Sequence, residues 1–349
     1  MNPPPGVGPV MELGITTFAE TIAAPAQAQQ RSHGERLRQV VEEAEVAEQA
    51  GLQIYGVGEH HRADFAASAP AVVLAAAAAR TRTIRLTSAV TVLSSDDPVR
   101  VYQDYATLDL LSQGRAEIIA GRGSFIESFP LFGYSLDDYD ELFAEKLELL
   151  LLIRDHERVT WSGRFRPELR DQPIYPRSQQ EPLPVWVGVG GNPESVVRAG
   201  TLGLPMALAI IGGQPRRFAP LADLHRRALT AAGHQPSAAP IAVHAHGFVA
   251  PSLDEAKRIF YPAYAAAMTQ LGRERGWGPM TPQAFEQLVA PEGSLLLGTP
   301  EMVAEKVLAL REWLGIERFM LHVSVGTMDH KDVLRSIELL GTEVAPLLA

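Results

Sequence analysis

Short apolar runs of strand-like composition alternate along this chain with segments of helical spacing, and the alternation repeats eight times. The apolar runs are Met11–Phe18, Ile54–Gly58, Ile84–Leu93, Arg115–Gly121, Pro184–Val189, Pro205–Ile211, Ile241–Val249 and Arg318–Val323. The helical segments that follow them are Ser32–Ala50, Ser68–Ala79, Pro98–Leu111, Tyr139–Arg154, Pro193–Ala199, Pro215–Ala232, Leu253–Arg275 and Lys331–Leu347. Strands separated by helices pair in parallel through helical crossovers. Eight such units with nearly continuous apolar strands fit a closed (β/α)8 TIM barrel better than an open sheet. The α/β chain is thus expected to form one barrel domain over residues 11–349 after a flexible lead-in, residues 1–10. Two stretches fall outside the repeat, His156–Glu181 and Gly276–Leu297, and are expected to be loop insertions.

Composition narrows the chemistry. The chain has no cysteine, so disulfides, Cys-based metal centres and thiol nucleophiles are excluded, and any redox chemistry requires a bound cofactor. A formal charge of −10 with scattered basic residues argues against a nucleic-acid partner, which needs a concentrated positive face. The first ten residues lack the basic and apolar regions of a signal peptide, so the expected location is cytoplasmic. No membrane association is expected, because the most apolar stretch, Ala69–Ala79, is shorter than the ~20 residues a spanning helix needs.

In such a barrel chemistry sits at the C-terminal ends of the strands. After the second strand come Glu59, His60 and His61, a carboxylate and two imidazoles suited to acid–base work or metal binding. At the fourth, Arg122 between Gly121 and Gly123 offers a bidentate fork to phosphate or carboxylate, or a rim ion pair. The fifth runs through Gly188, Val189, Gly190, Gly191 and Asn192 into a helix. This is either a phosphate seat made of backbone N–H groups or a plain capped turn. His244 and His246 share one face of the seventh strand, and His322 lies on the eighth. His244 and His246 with His60 or His61 could hold a divalent metal, against the simpler and commoner reading of half-buried strand histidines, and His322 carries the same two readings.

Taken in order, Glu59-His60-His61, the run Ser88 to Leu93 with Asp97-Pro98-Val99-Arg100, Leu111 to Arg115, Gly121-Arg122-Gly123 and the segment Gly298 to Lys306 resemble the bacterial luciferase-like family of flavin-dependent monooxygenases, in its single-subunit oxidoreductase branch. The resemblance implies FMN, in reduced form, across the strand ends. His60 would lie beside the reactive ring as the catalytic proton manager, with a pKa near neutrality, and Glu59 would precede it. Ser88, Ala89 and Val90 would lie along the ring, with a cis peptide at Ala89–Val90. Arg122, Gly123, Val189, Gly190, Gly191 and Asn192 would hold the phosphate, with the Gly326-Thr327 turn as a rival seat. Gly121 stands where luciferases carry a reactive cysteine, so light emission is not implied.

The implied reaction uses reduced FMN and O2 to oxygenate a small organic molecule. The reducing equivalents would come from a separate flavin reductase or NAD(P)H. Segments Phe125–Asp138 and Gly276–Leu297, carrying Phe125, Phe129, Phe132, Trp277 and Phe285, are candidate lids. Alternatives are a deazaflavin- or FMN-dependent dehydrogenase or reductase of the same family, a binding protein that has lost catalysis, and a metal-dependent barrel hydrolase using His244, His246 and His60 or His61. A homodimer is expected, both from the resemblance and from the apolar faces of Ala69–Ala79 and Leu147–Ile153.

Overall fold

The computed structural model describes residues 11–22 and 32–349, so the expected lead-in lies outside the described residues. In chain order the elements are β1 (Glu12–Thr17), α1 (His33–Gln49), β2 (Ile54–Val57), α2 (Pro70–Arg80), β3 (Arg85–Ser88), β4 (Thr91–Val92), α3 (Pro98–Ser112), β5 (Ala116–Gly121), α4 (Ser128–Phe132) and α5 (Tyr139–Asp155). The antiparallel pair β6 (Arg158–Trp161) and β7 (Leu169–Pro173) comes next, then β8 (Val185–Val189), α6 (Pro193–Thr201), β9 (Met206–Ile210), α7 (Ala219–Ala231) and β10 (Ile241–Val249). The chain ends with α8 (Leu253–Arg275), α9 (Pro282–Val289), β11 (Leu296–Gly298), α10 (Pro300–Leu314), β12 (Arg318–His322), α11 (His330–Leu339) and α12 (Ala345–Leu347).

Eight of these strands close a parallel ring in the order β1, β2, β3, β5, β8, β9, β10, β12 and back to β1. The two closing registers, Glu12 opposite Arg318 and Ile241 opposite Met206, seal the sheet without a free edge. Helix starts follow local chemistry. Ser32, Asp97, Asn192, Ser252 and Thr299 each accept backbone N–H groups of the first turn, and Pro98, Pro193 and Pro300 take the first helical position.

Three features depart from the sequence expectation. The third apolar run is two strands, β3 and β4, each paired with β5, with a cis peptide at Ala89–Val90 between them. The 156–181 insertion contains its own hairpin, β6–β7. A further strand and helix, β11 and α10, stand between the seventh and eighth ring strands; β11 pairs only with β10, outside the ring.

Alternate residues of a barrel strand point inward, and here they change in kind from bottom to top. At the N-terminal end Arg318 bridges Glu117 and Glu12, stacked over Trp186 at 4.1 Å. Above it Ile54, Ile119, Trp186, Ala207, Ala242 and Met320, from six strands, form an apolar plug separate from the main core between barrel and helices. Higher still, small residues such as Gly188 and Ala209 leave the barrel hollow, and a cavity of about 800 Å³ opens at the C-terminal end.

Candidate active site

The cavity wall is built mainly from strand ends. Phe18 and Glu20 follow β1, Glu59 to Arg62 follow β2, Ala89 and Val90 lie between β3 and β4, Gly121 ends β5 and Arg122 to Phe125 follow it. Gly188, Val189, Gly190 and Asn192 come from β8 and its turn, and His244 and His246 from β10. Helix α8 and the segment up to α9 cover the remaining side with Tyr264, Met268, Leu271, Trp277, Met280 and Leu288. Of the residues expected to hold a cofactor, Glu59, His60, Ala89, Val90, Arg122, Gly123, Val189, Gly190 and Asn192 face this one space. Ser88 and Gly191 do not. The Ser88 hydroxyl is consumed at 3.0 and 3.1 Å by the Ile119 N–H and C=O, replacing ladder bonds where β3 ends, and Gly191 serves the turn with φ +111°.

His60 sits in an aromatic box. Its ring stacks on Phe65 at 4.1 Å and meets the edges of Phe18 and Phe125 at 4.8 and 4.9 Å. Burial, with smaller contributions from His322, His61 and Arg62, pushes its pKa down to about 3. The near-neutral pKa expected from the sequence is therefore not found: apolar walls withhold solvation from an imidazolium, and His60 is neutral at pH 7. Glu59 does not reach into the cavity centre alone. One carboxylate oxygen accepts the Val92 N–H at 2.8 Å and the other pairs with His61 Nε2 at 2.8 Å, bracing the chain just after the cis peptide.

Val90, which follows the cis peptide, packs its methyls over two glycines. A Cβ on Gly121 would lie 2.4 Å from Val90 Cγ2, and one on Gly188 would lie 2.8 Å from Val90 Cγ1. Gly121 thus has a packing reason to differ from the luciferase cysteine: a side chain there and Val90 compete for the same volume.

At the opposite rim the site is cationic. The Arg122 guanidinium pairs with Asp140 at 2.5 Å and lies 5.1 Å from the Tyr139 ring centre. Arg198, on α6, went unnoticed in the sequence because helical spacing alone reads it as surface. Its Nη1 is buried with no hydrogen-bond partner, and burial followed by the like charge of Arg122 lowers its pKa. Ser195 Oγ, in the first turn of α6, is also buried and partnerless. The N–H groups of Glu194 and Ser195, in contrast, are taken by the Asn192 side chain at 2.7 and 3.3 Å, so Asn192 acts as a cap and those two amides already have a partner. The rival seat is filled: both the N–H and the hydroxyl of Thr327 donate to Ile22 O.

The expected lid divides. Phe125 and Trp277 line the cavity, whereas Phe129 is buried on Tyr139, Phe285 packs against Tyr261 and Tyr264, and Phe132 stands half exposed beside His61. Arg62 ties the mouth together, pairing with Glu274 on α8 and Glu127 after β5, and Arg275 donates to Ser124 O. The metal-hydrolase alternative fails on geometry. The Phe18 ring stands 4.8 Å from His60 and 5.8 Å from His244, and no three His, Asp or Glu groups among the described residues converge on a metal position.

An apolar hollow lined by a neutral histidine and, at its rim, by the Arg122 guanidinium fits a planar cofactor with an anionic tail. The comparisons agree with that shape. The monooxygenase RslO1 of Streptomyces bottropensis superposes with a TM-score of 0.83 at 26% identity, over 97% of this chain and all of that one. The N-acetyl-S-alkylcysteine monooxygenase of Bacillus subtilis is 32% identical over half of either chain, covering 50% of this one and 51% of that one. The F420-dependent glucose-6-phosphate dehydrogenase of Amycolatopsis mediterranei is 33% identical over 44% of this chain and 48% of its own. The sequence pattern of luciferase-like monooxygenases matches residues 11–317. With the barrel closed and the cavity at its C-terminal end, the chain belongs to the luciferase-like monooxygenase family and is a flavin-dependent oxidoreductase.

Proposed function

We propose that this protein is an FMN-dependent monooxygenase that inserts oxygen from O2 into a small organic substrate, with reducing equivalents supplied by NAD(P)H or a separate reductase. The observation that carries the reading is the polarity of the cavity, apolar around His60 and carrying the Arg122 guanidinium at its rim beside the β8 turn. Bound reduced FMN supplies the electrons and the site of oxygen activation. The chain's own groups do the rest. Arg122 would hold the phosphate, displacing Asp140 from its guanidinium, with Gly123, Gly190 and Asn192 beside it. Val90 and the glycines beneath it would set the plane of the ring. The Phe18–Phe65–Phe125 box keeps water from His60, which as a neutral imidazole can donate one hydrogen bond and accept another.

Residues 11–349 are proposed to act as one domain. A homodimer through the α2–α3 face is also proposed, since Val72, Leu110 and Leu111 are exposed there, whereas the Leu147–Ile153 run is mostly buried and offers no such face. The F420-using relative keeps hydride transfer as the second reading, sharing the same cavity.

Titration of the protein with FMN and with riboflavin, followed by flavin fluorescence, tests the assignment. Arg122→Ala removes charge-assisted hydrogen bonds worth about 1.5–3 kcal/mol, so its FMN Kd should rise by about 10- to 150-fold, and its riboflavin Kd by less than about twofold. Equal losses for both would refute the phosphate role. Oxygen uptake with reduced FMN separates the monooxygenase from the dehydrogenase, which consumes none.

A further inference from the structure

The hollow of the barrel has a second polar surface, opposite the residues assigned to FMN and unused by the mechanism above. His244 and His246, one above the other on β10, and His322 on β12 form a buried triangle with ring centres 5.1 to 6.4 Å apart. His322 is fully committed: its Nε2 lies 2.8 Å from Glu20 Oε1 and its Nδ1 3.1 Å from the Thr16 hydroxyl. The Glu20 carboxylate can only accept, so the His322 Nε2–H donates to it, while Nδ1 pairs with the Thr16 hydroxyl.

The neighbours are not committed. His244 Nε2, His246 Nδ1 and Glu20 Oε2 are buried without a hydrogen-bond partner, and all three residues line the cavity. Burial, reinforced by His322, holds the His244 pKa at about 3 and that of His246 well below the ordinary histidine value, so both rings are neutral at pH 7. Apolar rings pack against them: Phe18 lies 5.8 Å from His244 and Tyr264 5.8 Å from His246.

Polar atoms that line a cavity without a protein partner are open to a ligand, and each hydrogen bond a ligand makes to them in place of water is worth about 0.5–1.5 kcal/mol. We propose that His244 and His246 form a polar floor that selects an uncharged, largely apolar substrate carrying a single hydroxyl or carbonyl oxygen. Neutral imidazoles offer both a donor and an acceptor, matching either oxygen type. A carboxylate or sulfonate fits poorly, because the Glu20 carboxylate, with one oxygen unpaired, faces the same floor. The cationic groups stand elsewhere, Arg122 and Arg198 at the opposite rim and Arg62 and Arg275 engaged at the mouth. This inference rests on the cavity being the oxygenation site of the proposed function, but it concerns substrate recognition by a wall that FMN does not need.

Calorimetric titration of the full chain, with and without FMN, against cyclooctanone, cyclooctanol, cyclooctane and cyclooctanecarboxylate tests it. The ketone or the alcohol should bind at least about tenfold more tightly than the hydrocarbon and the carboxylate. His244→Phe and His246→Phe should erase that preference while changing the FMN Kd by less than about twofold, and His244→Gln, which keeps a donor and an acceptor, should restore part of it. Circular dichroism identifies any variant that fails to fold, in which case the Gln variant carries the test. Equal affinity across the four compounds, tighter binding of the carboxylate, no binding of either polar congener, or an unchanged preference in both Phe variants overturns the proposal. Selective ketone binding by a chain that does not bind FMN would sink the proposed function and leave the polar floor standing.

Discussion

Filling the space at Gly121 should destabilise the protein through one neighbour, Val90, and the size of the effect follows from the contact geometry. A Cβ at 121 meets Val90 Cγ2 at 2.4 Å, Cβ at 3.0 Å and Cγ1 at 3.2 Å, where an ordinary carbon–carbon contact is about 3.5–4.0 Å. Val90 must therefore retreat by about 1 Å, yet its other methyl already lies over Gly188, within 2.8 Å of where a Cβ would stand. Such overpacking costs about 1–3 kcal/mol. Gly121→Ala should lower the unfolding free energy by that amount, read as a lower urea midpoint at unchanged m, and Val90→Ala by a smaller one, because Val90 is only partly buried. The double variant removes the clashing methyls, so the two effects should fail to add by at least about 1 kcal/mol, the coupling expected for residues in contact. Additivity within about 0.5 kcal/mol would show that Gly121 is not a glycine because of Val90.

Acid should weaken the fold through its neutral histidines. His60 and His244 have folded pKa values of about 3 against an ordinary 6.5, so below pH 6.5 the unfolded chain binds protons that the folded chain refuses, and stability falls as pH drops toward 3. Each group contributes a slope of up to about 1.4 kcal/mol per pH unit. His244→Phe should therefore lose stability less steeply than the parent between pH 6 and 4 in urea titrations, and parallel curves would contradict the burial argument. Arg318→Met leaves the buried Glu117 with only Arg85, 3.7 Å away, and should cost about 3–5 kcal/mol by chemical denaturation. Adding Glu117→Leu should recover most of that loss, and a cost below about 1 kcal/mol for the single change would remove the ion pair from any role at the barrel floor.

Much of this architecture is legible in the sequence because each signal is local. Apolar runs bounded by proline and glycine set the eight ring strands to within a few residues, and side-chain caps such as Asp97 and Asn192 start helices where their spacing says they should. Segments whose partners are distant are less legible. The β6–β7 hairpin has a polar, largely exposed second strand and carries little apolar signal, and β11 is three residues long and defined only by its pairing with β10. Helix α10 passed as part of a family segment until its place between β11 and β12 gave it a packing role.

The candidate site divides the same way. Residue type and order along the chain were enough to single out Glu59, His60, Arg122 and Gly190, and the eightfold repeat was enough to place them at the strand ends of one barrel. What each can do depends on atoms far away in sequence. Phe18, Phe65 and Phe125 strip His60 of solvent and keep it neutral, and the Ile119 backbone takes Ser88 out of the cavity. Arg198 is brought near Arg122 by the turn of α6, and His322 is bound to Glu20 while His244 and His246 are left unpaired. Hydrophobic periodicity is a property of neighbouring residues, so the sequence alone determines the barrel. Solvation, charge pairing and the contest of Val90 with Gly121 arise only when distant strands close on one another, so the tertiary structure alone decides which residues remain free to meet a ligand.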